Sequence, residues 1–103
     1  MMNENHEIAL RRDVLLTFQV ALLGMVDNHL RGVTVSWDEG RIEGVLLYDG
    51  AVSDIEEETA SDVEAEIMAS FPEHEVSVAA RRYDAPADLN ASGLIAWAYR
   101  RRE

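Results

Sequence analysis

The chain has 103 residues, 48% of them hydrophobic, with 20 Asp+Glu against 9 Arg, no Lys and a formal net charge of −11. That is apolar material for one core and too little length for two, so a single domain over residues 1–103 is expected, with residues 1–6 as a flexible start. The lack of Cys excludes disulfides, thiolate chemistry and Cys-based zinc sites, and the charge argues against nucleic acid or an acidic membrane surface as partner.

In chain order, apolar residues recur at helical spacing from Glu7 to Leu30, through Leu15, Phe18, Leu22, Met25 and Val26. A broad stripe of this kind predicts the main core helix, with helix-stop chemistry at Asn28 and Gly32. The period then changes to two. Val33, Val35 and Trp37 alternate with Thr34, Ser36 and Asp38, which predicts a strand. Asp38-Glu39-Gly40 supplies a tight turn into a second strand from Ile42 to Tyr48, and Asp49-Gly50 ends it.

Ser53 and Glu56 have capping-box spacing and start a second helix. Its apolar face is Ile55, Thr59, Ala60, Val63, Ile67 and Phe71; Asp54, Glu57, Glu58, Asp62 and Glu64 lie largely opposite, and Pro72 stops it. Two further strands are predicted, through Val76, Val78 and Ala80 and through Leu94 to Tyr99, joined by a polar connection over 84–93. The order helix-strand-strand-helix-strand-strand reads as paired hairpins. The expected fold class is therefore α+β: an antiparallel four-stranded sheet with two helices on one face. The other face would then lack a helix, leaving some of Trp37, Tyr48, Tyr83, Trp97 and Tyr99 open to a partner.

The charge has an address. Residues 38–75 hold thirteen acids and one base, Arg41, for a net −12, whereas the remainder carries +1. Part of that acid caps and solubilises the second helix; the rest is a landing surface for something basic. The Arg81-Arg82 and Arg100–Arg102 clusters are expected to pair internally with acids rather than to hold a phosphate.

No catalytic or cofactor motif emerges. The three His, at 6, 29 and 74, show no HExxH or i, i+4 pairing. His29 reads as a helix C-terminal residue complementing the dipole. The many carboxylates look solvated, and no EF-hand, phosphate-binding loop or nucleophile elbow is present. No enzyme activity, cofactor or metal is expected. No secretory signal or membrane-length apolar run occurs either, so a cytoplasmic location is expected.

The segments LRGVTVSWDE (30–39), LLYDG (46–50), SDIEEETASDVEAEIMASFP (53–72) and WAYRRRE (97–103) resemble small bacterial immunity proteins encoded beside toxins of contact-dependent growth inhibition systems. The likeness runs from about Leu15 onward. It implies a cytoplasmic protein that binds and blocks one cognate toxin domain, frequently a nuclease. A nuclease must present a basic face to phosphates, which matches an acidic inhibitor. The expected partner-binding residues are Asp38, Glu39, Asp49, Asp54, Glu57, Glu58 and Asp62. The competing classes are a structural or adaptor module that forms a homodimer through its open sheet face or a sheet edge, and a small enzyme using buried carboxylates.

Overall fold

A computed structural model describes residues 4–103. Helix α1 spans Glu4–Ala21, followed by strands β1 (Leu30–Trp37) and β2 (Arg41–Tyr48), helix α2 (Asp54–Ser70), strand β3 (Glu75–Arg82), a short 3-10 turn at Leu89–Ser92, and strand β4 (Ala96–Arg100). Residues 4–6 of the expected flexible start form the beginning of α1, and residues 1–3 lie outside the described residues.

The first helix is shorter than its apolar stripe suggested. The chain leaves the helix through Leu22–Met25, where Gly24 adopts φ +77°, the left-handed conformation that glycine enters without a Cβ clash. Asp27 then turns the chain into β1, its Oδ1 accepting from the His29 and Leu30 N–H groups at 2.9 and 3.0 Å. Asn28 and Gly32 therefore do not end α1, and Gly32 lies inside β1. Leu22 still reaches the core, but from the turn.

The sheet is mixed, not antiparallel. Its order is β3-β2-β1-β4. β1 pairs antiparallel with both β2 and β4, whereas β2 pairs parallel with β3, from Arg41↔Glu75 to Tyr48↔Arg82. The reason is local: β2, α2 and β3 form a strand-helix-strand crossover, and a helical crossover returns the chain in the same direction. The segment between β3 and β4 is correspondingly no hairpin loop. It crosses the sheet to reach the opposite edge.

Both helices pack on one face. Leu10, Val14, Phe18 and Ala21 of α1 meet Ala60, Val63 and Ile67 of α2 over Val33, Val35, Ile42, Leu46 and Tyr48. Gly44 fits this layer because a Cβ there would lie 2.6 Å from the buried ring of Phe18. The opposite face is covered without a helix. Leu89 from the β3–β4 connection packs on Val45 and Leu47, flanked by Tyr83 and Trp97. Trp37, Tyr48 and Tyr99 belong to the helix side instead. The large open aromatic face expected from the sequence is thus replaced by a small second core.

What pins that cover is Arg31, 1% exposed in the middle of the sheet. Its Nε and Nη2 donate to the two carboxylate oxygens of Glu103 at 2.8 Å each, while Nη1 and Nη2 donate to the carbonyls of Tyr83 and Ala87 at 2.8 Å. Its guanidinium also lies 5.5 Å from the centre of the Tyr83 ring. Thr34 repeats the device with its hydroxyl, donating to the Ala96 carbonyl at 2.9 Å and accepting from the Leu94 N–H at 2.7 Å. A buried cation is tolerated where a counter-charge and hydrogen bonds replace its water, as the Glu103 carboxylate and four N–H bonds do here.

The Arg31 fork, despite partial burial and with help from Arg101, holds the Glu103 carboxyl down at about 2 against an ordinary 4.5. The folded pKa is the lower one, so the unfolded chain takes up this proton first as pH falls. The stabilisation is complete above pH 4.5 and is lost towards pH 2. Glu103→Gln is expected to lower stability at neutral pH by about 2–3 kcal/mol, below the ~3–5 kcal/mol typical of a fully buried pair because Glu103 keeps some water contact. Urea unfolding at a series of pH values checks this: the variant loses less stability than the parent between pH 4.5 and 2.

Candidate functional site

The acidic middle of the sequence is laid out along α2. Ser53 caps the helix, accepting from the Glu56 N–H at 3.1 Å while its own N–H donates to Glu56 Oε1 at 2.9 Å. Ala60, Val63 and Ile67 face the core, so helical periodicity turns Asp54, Glu58 and Asp62 outward, with Glu57 on the flank. These four side chains are exposed and make no ion pair with any described residue. Glu64 behaves differently: its Oε2 accepts from the Val78 N–H of β3 at 2.9 Å and so covers part of a sheet edge.

The other three predicted residues do not gather at one end. Asp38 and Glu39 are exposed in the β1–β2 turn, where Asp38 Oδ1 accepts from the Gly40 and Arg41 N–H groups at 2.9 Å each. Asp49 lies beyond the far end of β2. There it accepts from the Ala85 N–H at 3.2 Å and faces Arg101 at 3.8 Å. Eight residues of strand separate the two turns, roughly 25 Å. The exterior of α2, itself about 25 Å long, bridges them. Asp38 and Asp49 therefore have work in the fold, whereas Asp54, Glu57, Glu58 and Asp62 are left facing solvent.

Of the clustered arginines, Arg82 and Arg101 reach acids, although the Arg82–Asp84 pair lies on the surface. Arg82 pairs with Asp84 at 2.9 Å, Arg100 donates to Asn90 at 2.9 Å and lies 5.0 Å from the centre of the Trp97 ring, and Arg101 reaches Glu103 and the Asn28 carbonyl. Among the described residues an open groove of about 180 Å³ runs between the end of α1 and β4, lined by Gln19, Leu22, Leu23, Val26, Ala98 and Tyr99. It contains no acid. No described helix is long and apolar enough to cross a membrane.

One cluster was invisible in the sequence. Because α1 ends early, His29 is not a helix C-terminal residue; it stands beside the start of α2, its Nδ1 3.3 Å from Glu56 Oε2. Asp27 completes the group, with one donor atom of each residue within 4.8 Å of the others. Burial first, then the facing Glu56 carboxyl, pushes Asp27 above its ordinary range. Burial also acts upward on Glu56, but the Ser53 N–H, the bond from Asp27, the Ser53 hydroxyl and His29 outweigh it and hold Glu56 below its usual range. Beneath them burial, and then the charges of Asp27, Glu56 and Glu57, drive the Tyr48 phenol upward. The only sequence signal was the capping box, which places Glu56 but not its neighbours.

The structure is an α+β domain with both helices on one face of a mixed sheet and, on the exterior of α2, a row of exposed acids without ion pairs among the described residues. The chain belongs to the MafI2 immunity protein family, whose model matches residues 11–103. Membership implies a non-enzymatic role with a cognate toxin as partner. Maf is a polymorphic toxin system, so the contact-dependent growth inhibition class suggested by the sequence is corrected to the broader immunity-protein class. No curated protein matches the chain.

The cluster has a consequence for stability. Asp27→Asn keeps the oxygen that accepts from the His29 and Leu30 N–H groups, and its amide can donate towards Glu56. A change within about 0.5 kcal/mol is expected. Glu56→Ala, which orphans the Ser53 N–H, is expected to cost about 1–2 kcal/mol. Urea midpoints at neutral pH compare the two, and the larger drop is expected in Glu56→Ala.

Proposed function

We propose that this protein neutralises its cognate toxin domain in the bacterial cytoplasm by docking the acidic exterior of α2 on a basic face of the toxin. The observation that carries the reading is the row Asp54, Glu57, Glu58 and Asp62, exposed and without ion pairs among the described residues. Like charges held side by side destabilise a fold slightly, and a cationic partner relieves that repulsion while drawing the two molecules together. A nuclease toxin suits this chemistry because its active-site face has to hold phosphates. Asp38, Glu39 and Asp49 flank the row at its two ends. A standard interface of about 800 Å² per partner is roughly 30 Å across, enough to span from one end of α2 to the other. Binding of this kind needs no cofactor and no turnover.

A homodimerising module is the second reading, and one observation favours it. Leu16, Val20, Leu23 and Val26 are 57, 54, 74 and 43% exposed beside the apolar groove. That reading leaves the acidic exterior without a task.

The test is association kinetics with the toxin encoded beside this gene. The triple reversal Glu57→Lys, Glu58→Lys and Asp62→Lys should slow association about tenfold or more at low salt and flatten its dependence on ionic strength. Thermal unfolding of the variant should stay near that of the parent, since these side chains lie outside the core. Unchanged affinity together with unchanged salt dependence would remove this surface from the mechanism.

A further inference from the structure

We propose that Asp27, His29 and Glu56 form a binding site for a divalent transition-metal ion of the zinc class, at the junction of the α1–β1 turn and the start of α2. The donor set is one imidazole nitrogen and two carboxylate oxygens, a mixture that suits zinc and neighbouring transition metals better than calcium or magnesium, which favour all-oxygen sites. The donor atoms lie within 4.8 Å of one another.

The spacing fits coordination better than it fits a hydrogen bond. His29 Nδ1 and Glu56 Oε2 are 3.3 Å apart. A charge-assisted N–H···O⁻ contact is usually about 2.7–2.9 Å, so this one is loose. Two ligands of a tetrahedral zinc with bonds of about 2.0–2.2 Å sit roughly 3.3–3.5 Å from each other. The third ligand, Asp27, comes from the short turn before β1 and lies within 4.8 Å of both.

Contacts outside the ligand atoms hold the residues in place, as metal sites require. One Asp27 oxygen is fixed by the His29 and Leu30 N–H groups, and Glu56 Oε1 by the Ser53 N–H. The His29 carbonyl accepts from the Asp49 N–H at 2.8 Å. The remaining carboxylate oxygen of each acid is left for the shared position. Glu56 is deeply buried, its side chain 5% exposed, whereas that of His29 is 63% exposed. The site is therefore walled on one side and open on the other, with room for water to complete the coordination. The positive end of the α2 dipole opposes a cation here, but the capping box covers it and Asp54 and Glu57 flank it.

The experiment uses the full chain stripped with a chelator, titrated with Co²⁺ as a spectroscopic probe and Zn²⁺ as competitor. The wild type should bind one Co²⁺, develop a visible ligand-field band that Zn²⁺ but not Mg²⁺ abolishes, and melt at higher temperature as Zn²⁺ is raised. In proton NMR, Zn²⁺ should move the ring resonances of His29 and leave those of His6 and His74 in place. His29→Ala and Asp27→Asn, both of which leave the capping box intact, should each weaken binding by at least the roughly 10–100-fold that loss of an outer contact costs. Absence of saturable binding to the wild type overturns the proposal, and so does binding that survives both substitutions, which would mark ions on the acidic surface. Toxin binding is not a readout, so the result is independent of the proposed function.

Discussion

The guanidinium of Arg31 is the constraint on which the far side of this molecule depends. It is the largest fully buried side chain, and its partners come from two separate stretches: Glu103 at one, and the Tyr83 and Ala87 carbonyls with the Tyr83 ring at the other. That fork acts with Leu89 and with the bonds of Asp49 to Ala85, Thr34 to Leu94 and Arg100 to Asn90 to hold the β3–β4 connection over Val45 and Leu47. The helix-free face of the sheet is closed here by a small apolar cluster, held in place in part by a buried cation with a carboxylate partner.

The same arrangement explains why the acidic surface stays acidic. Arg82, Arg100 and Arg101 are engaged with Asp84, Asn90, Glu103 and local carbonyls, clustered where β3 and β4 end. They neutralise that end of the molecule and are not spread over the exterior of α2. The −12 of residues 38–75 is therefore only partly answered inside the fold, by Arg41 for Glu43 and by backbone N–H groups for Asp38, Glu56 and Glu64. For an immunity protein, whose partner is a cognate toxin, a residual surface of one sign gives fast, oriented encounter more than it gives raw affinity.

What could be read from the sequence was whatever is decided within a few residues. The Ser53–Glu56 capping box, the Asp38–Gly40 turn, the alternation in β1 and the Arg82–Asp84 pair are all local chemistry, and the structure contains them. The end of α1 is hidden in the sequence because Met25 and Val26 continue the helical spacing of Leu22 although the chain turns at Gly24. The direction of β3 was misjudged because β2, α2 and β3 were divided between two hairpins instead of being read as one crossover. Nothing local marks Arg31 for burial, because its partners lie 52–72 residues away, beyond any periodicity. The Asp27–His29–Glu56 group was hidden for the same reason, since 27 residues separate His29 from Glu56. Of the seven residues expected to bind a partner, the fold sets four along α2 and puts the rest at its two ends.

The most direct measurement of the account is hydrogen–deuterium exchange on the protein alone and in complex with its cognate toxin, using helix and turn amides as the footprint. The account predicts slowed exchange over the first three turns of α2, from Asp54 to about Glu64, with weaker protection at the Asp38–Gly40 and Asp49–Gly50 turns. Protection confined to the α1 end and β4, with the amides of α2 unchanged, would contradict it.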